Sequence, residues 1–420
     1  MKIPILFHNK WKAILFLVTS YYEYAVVGLA TLFFVTTSSQ QIVGESSITF
    51  LTISFGVFFA LGIHNVIVRD GSLVERNLSK KKQLIKIEIL FTIFVCVIVI
   101  FLMFFSRDEW FTYGLFIVAG NQLKIAAQTV SRVTNNDRVL NILNILWPSL
   151  FLINILIFKF LSIPSEKSLF ISWGASLIVV SIPVLFGLFK VNRLQVFLTI
   201  SDLLVLKQLL TKAKWFVVSM FATTLFISAD RLFLNLFDYD PKFISIFQVS
   251  DVVSGIYFIG ASTVLFYFTP NLLIKFASGI SHFELTRFVL RSLLINVCTA
   301  FTFFVLVLTF EKIIQLCFDF DFDFDFDFQF YLVFLFMLLL KSAIISYGIL
   351  GNYLLAKNKE RTLAIFNIFL MVVCVLVTCL LVSFELAMYV SLAIFVMVVI
   401  FNFILFFRIV GENEENSYSC

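Results

Sequence analysis

Long apolar runs, broken at short intervals by Lys, Arg, Asn and Asp, dominate the chain. Most runs reach the ~20 residues that an α-helix needs to cross the hydrocarbon core of a bilayer. Hydropathy and turn residues together predict twelve helical spans, at about 13–36, 48–68, 84–106, 109–130, 139–160, 168–189, 213–236, 243–269, 288–310, 330–355, 362–383 and 386–407. Basic residues test this layout, because Lys and Arg collect on the cytoplasmic side of a membrane protein. With the N-terminus placed inside, and charges at span ends counted with the adjoining segment, twenty-three of the 31 fall in inner segments, five in outer loops and three well within spans. A wrong span count would scramble that asymmetry. The expectation is an all-α polytopic protein with both termini cytoplasmic. The apolar run after MKIPILFHNKWKAILF continues to about Val35. That is longer than the core of a cleaved signal, so it reads as a retained first span.

Two inner turns resemble each other. Asn135-Asn136-Asp137-Arg138 leads into Leu140, Ile142, Asn144 and Ile145; at a constant offset of 223, Asn358-Lys359-Glu360-Arg361 leads into Leu363, Ile365, Asn367 and Ile368. The match is six identities and one acid pair in eleven positions. It pairs spans 4–5 with spans 10–11, the register of two parallel six-span halves. The expected organisation is an N-terminal six-helix lobe over 1–198, a cytoplasmic linker over 199–212 and a C-terminal six-helix lobe over 213–420. A central cavity between them would form the substrate path.

Composition narrows the function classes. Of 420 residues, 61% are hydrophobic and 14% charged, against ~45–50% and ~25% in soluble domains. This excludes a soluble enzyme, a disordered chain and a nucleic-acid binder. The net charge of +5 is an orientation signal that also contacts anionic lipid heads. All predicted loops are short, so a membrane enzyme would have no extramembrane domain for its acids, bases or metals. Six cysteines without CxxC spacing or companion histidines give no metal site, and no cofactor is expected.

Six ionisable residues fall well inside spans: Glu23, Lys124, Asp230, Arg231, Asp251 and Lys341. Each costs ~2.5–3.5 kcal/mol at mid-bilayer, on the order of 15–20 kcal/mol together, so they must pair or line a wet cavity. Helical spacing gives most of them polar neighbours. Asn121, Lys124, Gln128 and Arg132 form a stripe on span 4; Thr224, Ser228, Arg231 and Asn235 on span 7; Gln248, Asp251 and Gly255 on span 8; Thr19 and Glu23 on span 1. The expected substrate cavity is lined by Lys124, Arg231, Lys341, Asn121, Gln128 and Ser228. Cations at several depths would suit an anionic head group such as a diphosphate. Glu23, Asp230 and Asp251 are the candidates for ion coupling, because carboxylates beside a cavity can exchange protons. A structural pair between Arg231 and Asp251 is the competing account of those two residues. Residues 318–328 read FDFDFDFDFDF; the segment is read as a low-complexity insertion in a tolerant outer loop, with a negative rim at the exit or a weak cation site as the alternative.

In this arrangement the chain resembles the multidrug/oligosaccharidyl-lipid/polysaccharide exporter superfamily. Within it the chain is most similar to bacterial O-antigen and polysaccharide-unit flippases of the Wzx type. The resemblance is carried by Val43-Gly44-Glu45 with Ser54-Phe55-Gly56 and Leu61-Gly62, by Ser228-Ala229-Asp230-Arg231, by Pro270 closing span 8, and by the two Asn-acid-Arg turns. It implies a non-enzymatic transporter of the inner membrane, serving O-antigen and lipopolysaccharide biosynthesis. Its cargo would be an undecaprenyl-diphosphate-linked oligosaccharide, moved from the cytoplasmic to the periplasmic leaflet. Membrane lipids and a polysaccharide polymerase with its chain-length machinery would be its partners. A drug/cation antiporter of the same superfamily is the first alternative, kept open by the equal number of buried acids. A polytopic O-antigen polymerase is the second, and lacks the large outer loop it would need.

Overall fold

A computed structural model describes residues 10–73, 78–134, 136–161, 165–192, 199–277, 282–318, 328–357 and 359–418. Among these the secondary structure is helical, without strands. The helices are α1 (Lys10–Thr37), α2 (Gln40–Gly56), α3 (Ile63–Leu73), α4 (Leu78–Phe105), α5 (Glu109–Val133), α6 (Asp137–Phe160), α7 (Ser165–Val191), α8 (Ile200–Leu236), α9 (Pro241–Ala277), α10 (His282–Phe318), α11 (Phe328–Ala356), α12 (Glu360–Ser383) and α13 (Val390–Tyr418). Among the described residues, eleven helical stretches are long and apolar enough to cross a bilayer, the architecture of a multi-pass membrane protein.

The predicted fourth span is the one missing from those eleven. It forms α5, whose 25 residues are long enough, at ~1.5 Å each, to cross the hydrocarbon core. Asn121, Gln122, Lys124 and Gln128 lower its apolarity. That helix is instead sheltered by protein, packing against α3, α4, α6 and α7. Small residues permit the close approach: a Cβ on Gly120 would stand 2.7 Å from Cβ of Leu177 on α7, and one on Gly174 of α7 would stand 2.3 Å from the Phe116 ring.

Three other expectations change. The predicted second span is not one helix. A 3-10 turn over Val57–Ala60 follows α2, and Leu61 (φ 48°) and Gly62 (φ 64°) break the chain before α3. A left-handed conformation at a leucine costs on the order of 1–3 kcal/mol, so surrounding structure must hold it. Residues 200–212, read as linker, are the opening turns of the 37-residue α8. Pro270 does not close its span, because α9 runs on to Ala277.

The chain divides into two compact units. The first comprises Met1–Phe34 with Ile48–Val217, the second Val35–Ser47 with Val218–Cys420. In the first unit α5 is the central helix; in the second α11 packs against α9, α10, α12 and α13. The repeat noted in the sequence is carried into structure. Helices α5 and α11 end 223 residues apart, at Val133 and Ala356. Helices α6 and α12 both have 24 residues, with starts and ends offset by that same 223. The Asn136 side chain caps α6 by accepting from the Val139 N–H at 3.4 Å, whereas Lys359 at the matching position of α12 caps with no side-chain bond. Asn135 and Asn358 of the repeat, and residues 319–327 of the Phe-Asp repeat, lie outside the described residues.

Candidate functional site

The second unit buries a four-charge cluster. Polar spacing on α9 turns Gln248, Asp251 and Ser254 to one face, each three residues from the last. Against that face stand Arg231 of α8 and Lys341 of α11. Arg231 Nη1 is 2.7 Å from Asp251 Oδ2, and Lys341 Nζ is 2.8 Å from Asp251 Oδ1. One carboxylate thus bridges two cations from two other helices. Arg231 Nη1 also donates to Gln248 Oε1 at 3.1 Å, and Lys341 Nζ donates to Ser254 Oγ and to the Asp251 carbonyl, both at 2.8 Å.

Asp230 is the fourth charge. Its Oδ1 accepts from the Arg231 backbone N–H at 2.7 Å and stands 3.6 Å from Arg231 Nε. Its Oδ2 accepts from the Ser391 hydroxyl of α13 at 2.9 Å. The cluster therefore ties α8, α9, α11 and α13 together with no net charge. The Arg231 and Lys341 side chains are only 3% and 4% exposed, while that of Asp251 is 20% exposed. The accessible member is an anion, and the cations stand behind it.

A second buried pair belongs to the first unit. Lys124 of α5 donates to Glu23 Oε1 of α1, and its ammonium lies 5.1 Å from the centre of the Trp147 ring on α6. A cation over an indole face gains from the ring quadrupole. Around the pair, Thr19 donates to Asn141 Oδ1 at 3.2 Å, Gln128 donates to Asn144 Oδ1 at 2.9 Å, and Asn144 donates to Ser20 Oγ at 3.3 Å. The polar faces of α1, α5 and α6 thus form one network.

The structure accordingly sorts the residues singled out in the sequence. Arg231, Lys341, Asp230 and Asp251 come together; Lys124, Glu23 and Gln128 belong to the network of the other unit. Asn121 is half-buried on α5. Ser228 is buried, but its hydroxyl turns back onto the Thr224 carbonyl of its own helix at 2.6 Å. Arg231 and Asp251 form a direct ion pair, as the structural account of their charges expects.

Several polar groups escaped the sequence reading. Lys86 of α4, at the inner end of the predicted span 84–106, is buried and meets Asp202 of α8 at 2.7 Å. Gln83 and Thr199 also donate to Asp202. Glu88, also on α4, is 3% exposed. Gln122 donates to the Gly56 carbonyl at 2.8 Å, where α2 ends. Asp202 had a signal, being an acid within an otherwise basic connection; Ser254 and Ser391 had none, because buried serines are common throughout these helices.

Comparison with known proteins places the fold. No family model and no curated protein matches the sequence. Solved structures do match. The lipid II flippase MurJ, in an inward closed conformation, superposes with a TM-score of 0.66 at 16% identity, covering 94% of this chain and 87% of that one. The MATE multidrug transporter DinF-BH gives 0.60 at 16% identity, covering 98% and 97%. A MOP superfamily transporter from Pyrococcus furiosus gives 0.53 at 11% identity, covering 97% and 95%. Over nearly its whole described length, the chain has the all-helical fold of these membrane transporters.

Proposed function

We propose that the protein is a flippase for lipid-linked oligosaccharides. It moves undecaprenyl-diphosphate-linked O-antigen or polysaccharide repeat units from the cytoplasmic to the periplasmic leaflet by alternating access, coupled to an ion. It acts in the bacterial inner membrane with both termini in the cytoplasm, beside the polymerase and chain-length machinery that use its product. The observation that carries this reading is the fold likeness to a lipid II flippase across 94% of the chain. Buried cations in both units add to it: Lys124 in one, Arg231 and Lys341 in the other. An anionic diphosphate would draw on such cations, and guanidinium matches phosphate through its planar fork. All three are paired with carboxylates here, so cargo binding would exchange a carboxylate partner for a phosphate. Asp251 is the member best placed for that exchange, being the least buried, and its release would couple cargo to proton or cation uptake.

The second reading, a drug/cation antiporter, has an observation of its own: the least buried group of the cluster is an acid. Expression in a strain lacking its O-antigen flippase separates the two. Restored surface polysaccharide supports the flippase. Unrestored polysaccharide with normal membrane levels, together with raised resistance to cationic drugs, would establish the antiporter instead.

A further inference from the structure

A slot of about 250 Å³ opens in the second unit between α10, α11 and α13. Leu290 and Leu293 line it from α10, Ser346 from α11, and Val399, Phe403 and Phe406 from α13. The lining is almost wholly apolar. Leu290 and Phe403 are 45% and 42% exposed, so the slot opens outward, on the surface a bilayer would cover. Helix α10 is loosely held. Only 6% of the apolar stretch within Glu284–Thr309 is buried. An apolar gap of this kind forfeits dispersion contacts unless something fills it, and the available filler around a membrane helix is a lipid chain.

Charge specifies which lipid. Arg287 and Arg291 lie one turn apart on α10, at the level of the slot, and both are exposed. Neither meets a carboxylate among the described residues. Glu284 stands one turn earlier, leaving the face one positive charge in excess. Side chains on a helix lean toward its N-terminus, so both guanidiniums reach toward the start of α10. Long basic side chains near a helix end place their charge at the headgroup level, where basic pockets between helices take anionic head groups.

We infer that this slot holds an acyl chain of an anionic phospholipid, with the lipid phosphate on Arg287 and Arg291. The lipid fastens α10 to α13 as a wedge would. The site is separate from the charge cluster and does not depend on what the protein transports. The probe is phosphatidylglycerol, added to the purified protein in detergent with phosphatidylcholine as control, and read by native mass spectrometry. Wild type is expected to retain one phosphatidylglycerol at least tenfold more tightly than phosphatidylcholine. The double change Arg287→Ala with Arg291→Ala should remove that preference, and Val399→Trp, which fills the slot, should remove retention of both lipids. The arginines are on the surface, so the double variant should fold; circular dichroism checks this. Equal retention of the two lipids by wild type would overturn the inference, as would full retention in either variant. Displacement of phosphatidylglycerol by a polyprenyl diphosphate at one-tenth its concentration would also overturn it, by reassigning the slot to cargo.

Discussion

Asp251→Asn is the most direct test of the charge cluster. The change keeps the side-chain shape and removes one negative charge. Asp251 holds Arg231 at 2.7 Å and Lys341 at 2.8 Å, and both cations are almost completely buried. Removing one partner of a buried ion pair costs ~3–5 kcal/mol, because a charge is left without compensation. Asparagine retains a carbonyl oxygen for one of the two donors, which places the expected loss at the low end, about 3 kcal/mol. Lys341→Met leaves Asp251 with Arg231 and some exposure, so its cost should be smaller, about 2 kcal/mol. The double variant leaves Arg231 to Asp230, already 3.6 Å from its Nε, and to Gln248. Its cost should fall short of the sum of the singles by at least ~1 kcal/mol, the coupling expected of contacting groups. Reversible unfolding in mixed micelles with increasing sodium dodecyl sulfate, followed by tryptophan fluorescence, measures all four corners of this cycle. Additivity within ~0.5 kcal/mol would refute the bridge, since that is the behaviour of independent sites.

Other consequences are as direct. Glu23→Gln should destabilise the protein by about 3 kcal/mol in the same unfolding assay, with partial recovery when combined with Lys124→Met. Gly44→Ala should sharply reduce folded yield, measured by size-exclusion chromatography, because a Cβ there would stand 1.8 Å from the Pro241 carbonyl oxygen; Gly28→Ala, with nothing within 4 Å, should be neutral or stabilise by up to ~1 kcal/mol. Asp202→Ala strands the buried Lys86 and removes the acceptor for Gln83 and Thr199, so it should destabilise the protein by about 3 kcal/mol in the same unfolding assay; an unchanged midpoint would contradict that role. Deleting two or four residues of the Phe-Asp repeat, which the sequence reads as a tolerant outer loop, should leave the proposed polysaccharide export intact in the complementation assay, because loop length costs only ~0.6 kcal/mol per doubling.

The helical class and the repeat are legible in the order of the amino acids. Both follow from one-dimensional facts. Bilayer thickness sets the length of an apolar run, and backbone groups in hydrocarbon leave helices as the solution for runs that long. The offset of 223 needed only the two Asn-acid-Arg turns, and it locates the matching ends of α5 and α11 to the residue. That buried charges must find partners was also legible, from their cost in the membrane.

Which partners they found was decided by tertiary structure. Depth along a helix can be counted from the sequence; which neighbouring helix faces a given charge cannot. Packing brought Lys341 to Asp251 and Lys124 to Glu23, across 90 and 101 residues of chain. The repeat offers no shortcut, since Tyr347 occupies the place in α11 that Lys124 holds in α5, and it donates to Asn367 at 2.6 Å while the matching Asn144 accepts from Gln128. The same reason explains the break after α2 and the polar α5. Local hydropathy scores a residue against lipid, whereas Gln122 of α5 is satisfied by the Gly56 carbonyl, at the point where α2 ends. A polar group in a membrane is tolerated wherever protein supplies its hydrogen bonds, and that supply exists only after the helices have packed.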